Sequence, residues 1–245
     1  MRYRLLDEIR GATMVSMIIY HACWDLIYLF GMPGAWYESP GAYLWQQSIC
    51  WTFIFLSGFC WHFGRKKLRR GLKIFLGGAL ITAVTLAVMP EDRVVFGVLT
   101  FLGSAALMLI PSDRFLKKCP AAPGCVLSLL LFFLAKGVPA GYLGTGFLQL
   151  GSLPAGLYRN LFTTFLGFPH PGFFSTDYFS IFPWIFLYLA GYYSYMWMEQ
   201  KEKLSVFDRS ICPPLGLMGR YSFWIYMAHQ PVLYGVFSVL AMIRG

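Results

Sequence analysis

Long apolar runs dominate the pattern of hydrophobic and polar positions along this chain. A helix needs about 20 apolar residues to cross a hydrocarbon core about 30 Å thick. Six segments meet or approach this length, and a shorter seventh carries Lys136 near its end, where a long side chain can reach the interface. The predicted transmembrane helices are Gly11–Phe30, Tyr43–Phe63, Gly71–Met89, Val94–Pro111, Gly124–Pro139, Tyr178–Trp197 and Tyr221–Ile243.

The stretch Ala140–Thr176 is rich in Gly and Pro and only moderately apolar. We interpret it as an extracytoplasmic or re-entrant cap, because irregular backbone survives at membrane depth only when protein covers it or water reaches it. The pattern therefore predicts an all-α polytopic membrane bundle of about seven transmembrane helices plus this cap. We expect residues 1–245 to form a single domain.

The composition excludes other classes of protein. Hydrophobic residues make up 58% and charged residues 13%, whereas soluble proteins average about 45–50% and about 25%. A soluble globule, a disordered chain, a nucleic-acid-binding protein and a disulfide scaffold are all excluded. The six cysteines show no paired spacing, so we expect reduced thiols or small buried hydrophobic residues and no metal site.

The distribution of basic residues predicts the orientation in the membrane. In membrane proteins, Lys and Arg are concentrated in the loops on the cytoplasmic side. With seven spans, one side of the membrane receives all of them except Arg93, Lys136, Arg159 and Arg244. We therefore expect a multi-pass protein of the cell membrane, surrounded by the lipid bilayer, with a cytoplasmic amino terminus and an extracytoplasmic carboxyl terminus.

The first span carries three ionisable residues. Arg10 and His21 are eleven residues apart, a rotation of about 1100°, so they share one helix face about 16 Å apart along the axis. Asp25 follows one turn after His21 and is expected to fix its tautomer, as a general base requires. A cation at the cytoplasmic end suits the phosphates of a long thioester donor such as coenzyme A. Alternatively, His21 and Asp25 form a buried pair that sets the register between helices.

The last span carries a second polar cluster. His229 lies about 13 Å from Arg220 by helical rise, near the depth expected for His21. Pro231 cannot donate a backbone hydrogen bond and should kink the helix beside Gln230. We expect His229 and Gln230 to bind the acceptor or to stabilise an oxyanion. The alternative is a kinked packing helix with a hydrogen-bonded His.

Two further pairs are candidate binding residues. Asp177 and Tyr178, at the extracytoplasmic start of the sixth span, are predicted to bind the acceptor, although Asp177 could equally cap its own helix. Arg65 and Lys66 begin a basic run that we interpret first as a topology signal and second as a contact to phospholipid or to donor phosphates.

Four stretches resemble the bacterial branch of the heparan-α-glucosaminide N-acetyltransferase catalytic-domain family. The Arg10–His21 spacing is also similar to that of membrane acyltransferases of the acyltransferase-3 type. This resemblance implies that His21 is the catalytic residue and that Arg10 contacts acyl-CoA. At Thr100 the sequence departs from the bacterial branch, whose members often carry His in that stretch. The four stretches are Leu6–Leu26, Phe96–Leu109, Asp177–Tyr192 and Gly219–Leu233.

The resulting functional hypothesis is an integral-membrane acyltransferase. It would move an acyl group, acetyl in the first instance, from cytoplasmic acetyl-CoA to a hydroxyl or amine of an extracytoplasmic sugar or envelope acceptor. The alternative is a proton-coupled transporter or membrane binding protein that uses His21, Asp25 and His229 as a relay; a third is a structural subunit. The sequence shows no internal repeat, which counts against the inverted-repeat architecture of many transporters. The sequence indicates no nucleic-acid partner and leaves homo-oligomerisation open.

Overall fold

The computed structural model describes residues 3–244 and is 74% helical. In this range it contains nine α-helices, a π-helical turn at Asp25–Leu29 and one β-hairpin. The helices are α1 Arg4–Trp24, α2 Pro40–Phe59, α3 Lys67–Val88, α4 Val98–Leu116, α5 Ala121–Ala135, α6 Leu161–Leu166, α7 Ile181–Gln200, α8 Pro213–Arg220 and α9 Ser222–Arg244. The strands are β1 Tyr142–Thr145 and β2 Leu148–Ser152.

Each of the seven predicted spans coincides with a long helix, which confirms the all-α polytopic class. The helices α1, α3, α4, α5 and α9, two of them with short continuations, are long and apolar enough to cross a membrane. The 20-residue α2 and α7 are not among these five, and both contain Tyr, Trp, Gln and Ser residues, which lower the hydropathy of a helix. In α7 much of the surface is buried by protein, so less of it has to be compatible with lipid.

The predicted cap contains the hairpin and α6. β1 pairs with β2 in antiparallel register, with an irregularity between Leu143 and Gly144. Gly144 has a φ of +111°, and a Cβ there would lie 2.0 Å from the carbonyl oxygen of Leu148. Six residues make α6 about 9 Å long. It is therefore too short to be an eighth span.

The described chain divides into two compact units. The first is built from the residues up to Phe53 and from Glu202 onward, and the second runs from Ile54 to Lys201. The organisation of residues 1–245 as one functional domain stays a prediction.

In the first unit, two glycines let α1 and α8 pack backbone to backbone. A Cβ on Gly11 would lie 1.9 Å from the carbonyl oxygen of Leu215, and a Cβ on Gly219 would lie 1.8 Å from that of Asp7. An apolar core of buried methionine and isoleucine side chains lies along α1. It comprises Met14, Met17 and Ile49, with Ile225 and Tyr226 of α9 packed against it. This core holds α1 and α9 at the level where their polar residues face each other.

In the second unit, small residues again allow close helix contacts. A Cβ on Gly78 of α3 would lie 2.5 Å from Thr100 Oγ1 of α4, and a Cβ on Gly103 would lie 2.5 Å from the Phe75 nitrogen. Thr100 is buried. Thr100 therefore packs closely against α3.

Candidate active site

Four of the sequence-predicted residues come together in the first unit, on α1 with its π-helical continuation and on α9. The ring centroids of His21 and His229 are 5.0 Å apart, with their planes inclined at 61°. One turn further along α1, the Gln230 amide donates a hydrogen bond of 3.1 Å from Nε2 to Asp25 Oδ1. An imidazole pair thus adjoins a carboxylate–amide pair along the same two helices.

The hydrogen bonding of His229 determines its tautomer. Its Nδ1 lies 2.6 Å from the carbonyl oxygen of Tyr226. A carbonyl oxygen only accepts hydrogen bonds, so Nδ1 must carry the hydrogen, and in the neutral ring Nε2 then holds a lone pair. This Nε2 atom is buried and has no partner among residues 3–244. His229, only 7% exposed, therefore presents an unpaired basic nitrogen.

Two further buried atoms of the cluster lack partners within the described residues. They are Oδ2 of Asp25, a residue with 0% exposure, and Oε1 of Gln230. Leaving a buried polar atom unsatisfied costs about 1–3 kcal/mol, and such atoms call for a specific explanation. All three unpaired atoms are hydrogen-bond acceptors. The cluster is therefore complementary to a group that donates hydrogen bonds.

The expected hydrogen bond between Asp25 and His21 is absent from the described part of the chain, which corrects the sequence-based prediction. Asp25 begins the π-helical turn that continues α1. Because this turn is wider than an α-helical turn, the Asp25 side chain does not point in the same direction as that of His21. The carboxylate instead accepts from Gln230. π-helical turns of this kind are frequent at functional sites.

Arg10 lies on the same uninterrupted helix as His21, as predicted. Eleven residues of helix separate the two by about 16 Å along the axis. The Arg10 Nη1 atom is 3.6 Å from Asp7 Oδ1, and both side chains are about one-sixth exposed. Arg10 is therefore held by a neighbouring carboxylate while it remains accessible to a ligand.

Sequence reasoning missed Glu8, which is buried between α1 and the segment that leads into α8. Its carboxylate accepts hydrogen bonds from the Ser210 hydroxyl and from the backbone nitrogens of Ile211 and Cys212, at 2.8 and 3.0 Å for the latter two. An acidic residue near a basic terminus suggests a solvated side chain. The signal that could have found it is its place in the stretch Leu6–Leu26, two residues before Arg10.

Asp177 caps α4, not its own helix. Its Oδ2 accepts a 3.1 Å hydrogen bond from the backbone nitrogen of Val98, the first residue of α4. α7 begins only at Ile181, so the predicted start of the sixth span at Tyr178 was three residues early. The correction has a physical reason, because the Asp177 carboxylate stabilises the amino terminus of α4.

The remaining predicted residues also belong to the second unit. The Tyr178 hydroxyl donates to the carbonyl oxygen of Thr164, and Arg65 and Lys66 are exposed immediately before α3. Donor binding by Arg65 and Lys66 and acceptor binding by Asp177 and Tyr178 stay predictions.

Fold and site together define a polytopic helical membrane protein with buried imidazole, carboxylate and amide groups on two long apolar helices. The chain belongs to the family described as heparan-alpha-glucosaminide N-acetyltransferase, catalytic, whose model matches residues 2–231. Membership indicates an N-acetyltransferase activity in membranes. No significant match was found among curated proteins or solved structures.

Proposed function

We propose that this chain moves an acetyl group from cytoplasmic acetyl-CoA to a hydroxyl or amine of an extracytoplasmic sugar or another envelope acceptor. Family membership supports acetyl transfer in a membrane. The observation that carries the proposal for this chain is the set of unpaired buried acceptor atoms beside the His21–His229 pair.

The chemistry of these atoms supports an acceptor substrate of a definite kind. A carboxylate oxygen, an amide oxygen and a ring nitrogen with a lone pair all accept hydrogen bonds. Hydroxyl and amine groups donate them, whereas a phosphate or carboxylate ligand would leave every one of these atoms unpaired or repelled. A sugar that carries hydroxyls and an amine is therefore the complementary class of ligand.

In the proposed reaction the oxygen or nitrogen of the acceptor attacks the thioester carbon. The proton of the attacking group moves to His229 Nε2 while the carbon–sulfur bond breaks, and the departing sulfur takes up this proton to leave as the thiol of coenzyme A. His21 assists as a second base or carries the acetyl group transiently on a ring nitrogen, which the acceptor then attacks. Arg10 would bind the phosphates of the donor.

His229 is not suited to stabilising an oxyanion, one of the two roles that the sequence suggested for it. With its Nδ1 hydrogen engaged by the Tyr226 carbonyl, the neutral ring has no N–H to offer an oxyanion. The Gln230 amide retains one N–H beyond its bond to Asp25 and is the better candidate for that task.

The proposal is tested with the full chain in phosphatidylcholine nanodiscs, incubated with [14C]acetyl-CoA and either glucosamine or crude envelope sugars. We expect labelled acceptor and free coenzyme A thiol in equal amounts. His21→Ala and His229→Gln should lower the rate by about 100-fold or more, the range of a lost acid–base group. His170→Gln, in the second unit, is the matched control and should retain the rate.

Two outcomes would contradict this proposal. If the intact chain neither releases thiol nor transfers label to either acceptor, the acyltransferase function is wrong and the transporter alternative gains support. If His21→Ala is as active as the unmodified chain, His21 has no part in the reaction.

A further inference from the structure

A cavity in the second unit lies outside the candidate active site. It is a small cleft that opens to its surroundings, with an enclosed volume of about 20 Å³. Parts of α2, α3, α4 and α7 enclose it, together with the turn between α2 and α3. Its lining includes Ser57, Trp61, Lys67, Arg70, Leu102 and Tyr188.

Two cations line this cavity, and neither forms a salt bridge within 4 Å in the described part of the chain, although Lys67 also senses the charge of Asp113. Lys67 Nζ lies 3.3 Å from the centroid of the Trp61 ring, so the indole face holds the ammonium in place. Arg70 Nη1 donates to the carbonyl oxygen of Cys60 at 3.4 Å. A guanidinium has five N–H donors, and one weak bond to a carbonyl leaves most of them available to a ligand.

The inner wall of the cavity offers a buried hydroxyl. Tyr188 is 2% exposed and lines the cavity. Its backbone is fixed against α2, because a Cβ on Gly58 would lie 1.9 Å from the Tyr188 carbonyl oxygen. Ser57 adds a second hydroxyl on the same lining.

From these contacts we infer that the cavity binds a phosphate group. Two cations supply charge, and the guanidinium and the two hydroxyls supply donors for the oxygens of a tetrahedral anion. This ligand chemistry is opposite to that of the active-site cluster, where the free atoms are acceptors. The phosphate comes either from the acyl donor or from the headgroup of an anionic lipid, since basic pockets between membrane helices bind such headgroups.

Binding without turnover tests this inference. The full chain in phosphatidylcholine nanodiscs is titrated with coenzyme A and, separately, with pantetheine, which lacks phosphates. In a second arm the chain is reconstituted with phosphatidylglycerol, and the lipid retained after detergent exchange is measured by mass spectrometry. Each measurement is repeated with Arg70→Gln, with the isosteric Tyr188→Phe and with Arg69→Gln, which removes the same charge from a neighbour on α3 that does not line the cavity.

For a donor phosphate we expect coenzyme A to bind and pantetheine to bind poorly. The dissociation constant for coenzyme A should rise about tenfold in Arg70→Gln and about fivefold in Tyr188→Phe, as expected for one charged and one neutral hydrogen bond. Arg69→Gln should change it less than about twofold, the effect of a screened surface charge. If the source is lipid, the retained phosphatidylglycerol should follow the same order of variants.

The inference is overturned if neither ligand responds to Arg70→Gln and Tyr188→Phe, or if Arg69→Gln has an equal effect. Tyr188→Phe keeps the shape of the side chain, so it remains informative if Arg70→Gln fails to fold. Because no acetyl transfer is measured, a loss of activity with intact binding would count against the proposed function alone.

Discussion

At the scale of single residues, His229 has one ring nitrogen engaged by its own helix, and the other has no partner among the described residues. The hydrogen bond to the Tyr226 carbonyl orients the ring in the way that a carboxylate orients a catalytic His elsewhere. Asp25 was expected to have that role toward His21, but it bonds Gln230 instead. The base His229 and the carbonyl that orients it therefore both lie on α9, and the Asp25–Gln230 hydrogen bond joins this helix to the continuation of α1.

Asp25 provides the first prediction at this scale. Asp25→Ala should leave the Gln230 amide without its acceptor and should lower the free energy of unfolding by about 1–3 kcal/mol. Asp25→Asn keeps an oxygen toward Gln230 and should lose less stability, but it replaces the unpaired acceptor Oδ2 by a donor and should weaken acceptor binding. Thermal melting and the KM for the acceptor measure the two effects. Equal melting temperatures for both variants would contradict the role assigned to the Asp25–Gln230 bond.

Glu8 provides the second prediction at the scale of single residues. In Glu8→Gln an NH2 group replaces one carboxylate oxygen. This group would face either the Ser210 hydroxyl or the backbone N–H groups of Ile211 and Cys212, depending on which oxygen it replaces. We expect a lower melting temperature, because a hydrogen bond to a charged carboxylate would be lost. The exposed Glu91→Gln is the matched control. A melting temperature that falls equally in both variants would contradict the account of Glu8.

At the scale of elements, the contact between α1 and α8 depends on glycine. Gly11→Ala would place a Cβ 1.9 Å from the Leu215 carbonyl oxygen, so the two helices would have to separate. Overpacking of this kind typically costs about 1–3 kcal/mol, which exceeds the gain of about 1 kcal/mol from the higher helix propensity of Ala. Melting temperature should therefore fall in Gly11→Ala.

Gly235→Ala is the control for this prediction, because nothing lies within 4 Å of a Cβ at that position of α9. It should leave stability unchanged or raise it through helix propensity alone. Equal melting temperatures for Gly11→Ala and Gly235→Ala would show that α1 and α8 are not in backbone contact.

The elements also show how far the sequence could be interpreted. The length of the apolar runs predicted every long helix, because a helix that crosses the bilayer needs about 20 apolar residues in sequence. It did not predict α8, whose eight residues open on two prolines and carry three polar or glycine positions. The early start assigned to the sixth span has the same origin, since hydropathy does not reveal that Asp177 caps a different helix.

The candidate site was predictable in part for a related reason. His21, Asp25, His229 and Gln230 were identifiable because polar side chains are costly in an apolar span. Their pairing was not, because it depends on the π-helical turn at Asp25 and on which faces of α1 and α9 meet. Neither of these follows from helical periodicity alone.

At the scale of the whole molecule, the distribution of basic residues predicts the orientation. In a chain with its six cysteines replaced, Arg159→Cys should react in intact cells with a membrane-impermeant maleimide, because the cap is expected outside. Lys118→Cys is the control and should react only after the cells are permeabilised. Protection of position 159 in intact cells would contradict the predicted topology.

The central claim is that His21 and His229 act together in acetyl transfer, and a double-mutant cycle tests it most directly. The rates of transfer from [14C]acetyl-CoA to glucosamine are compared for the unmodified chain, His21→Ala, His229→Gln and the double variant. We predict that each single change lowers the rate by about 100-fold or more and that the double change lowers it little further, because residues that act as a unit are not additive. Unchanged single-variant rates, or losses that multiply in the double variant, would contradict this account.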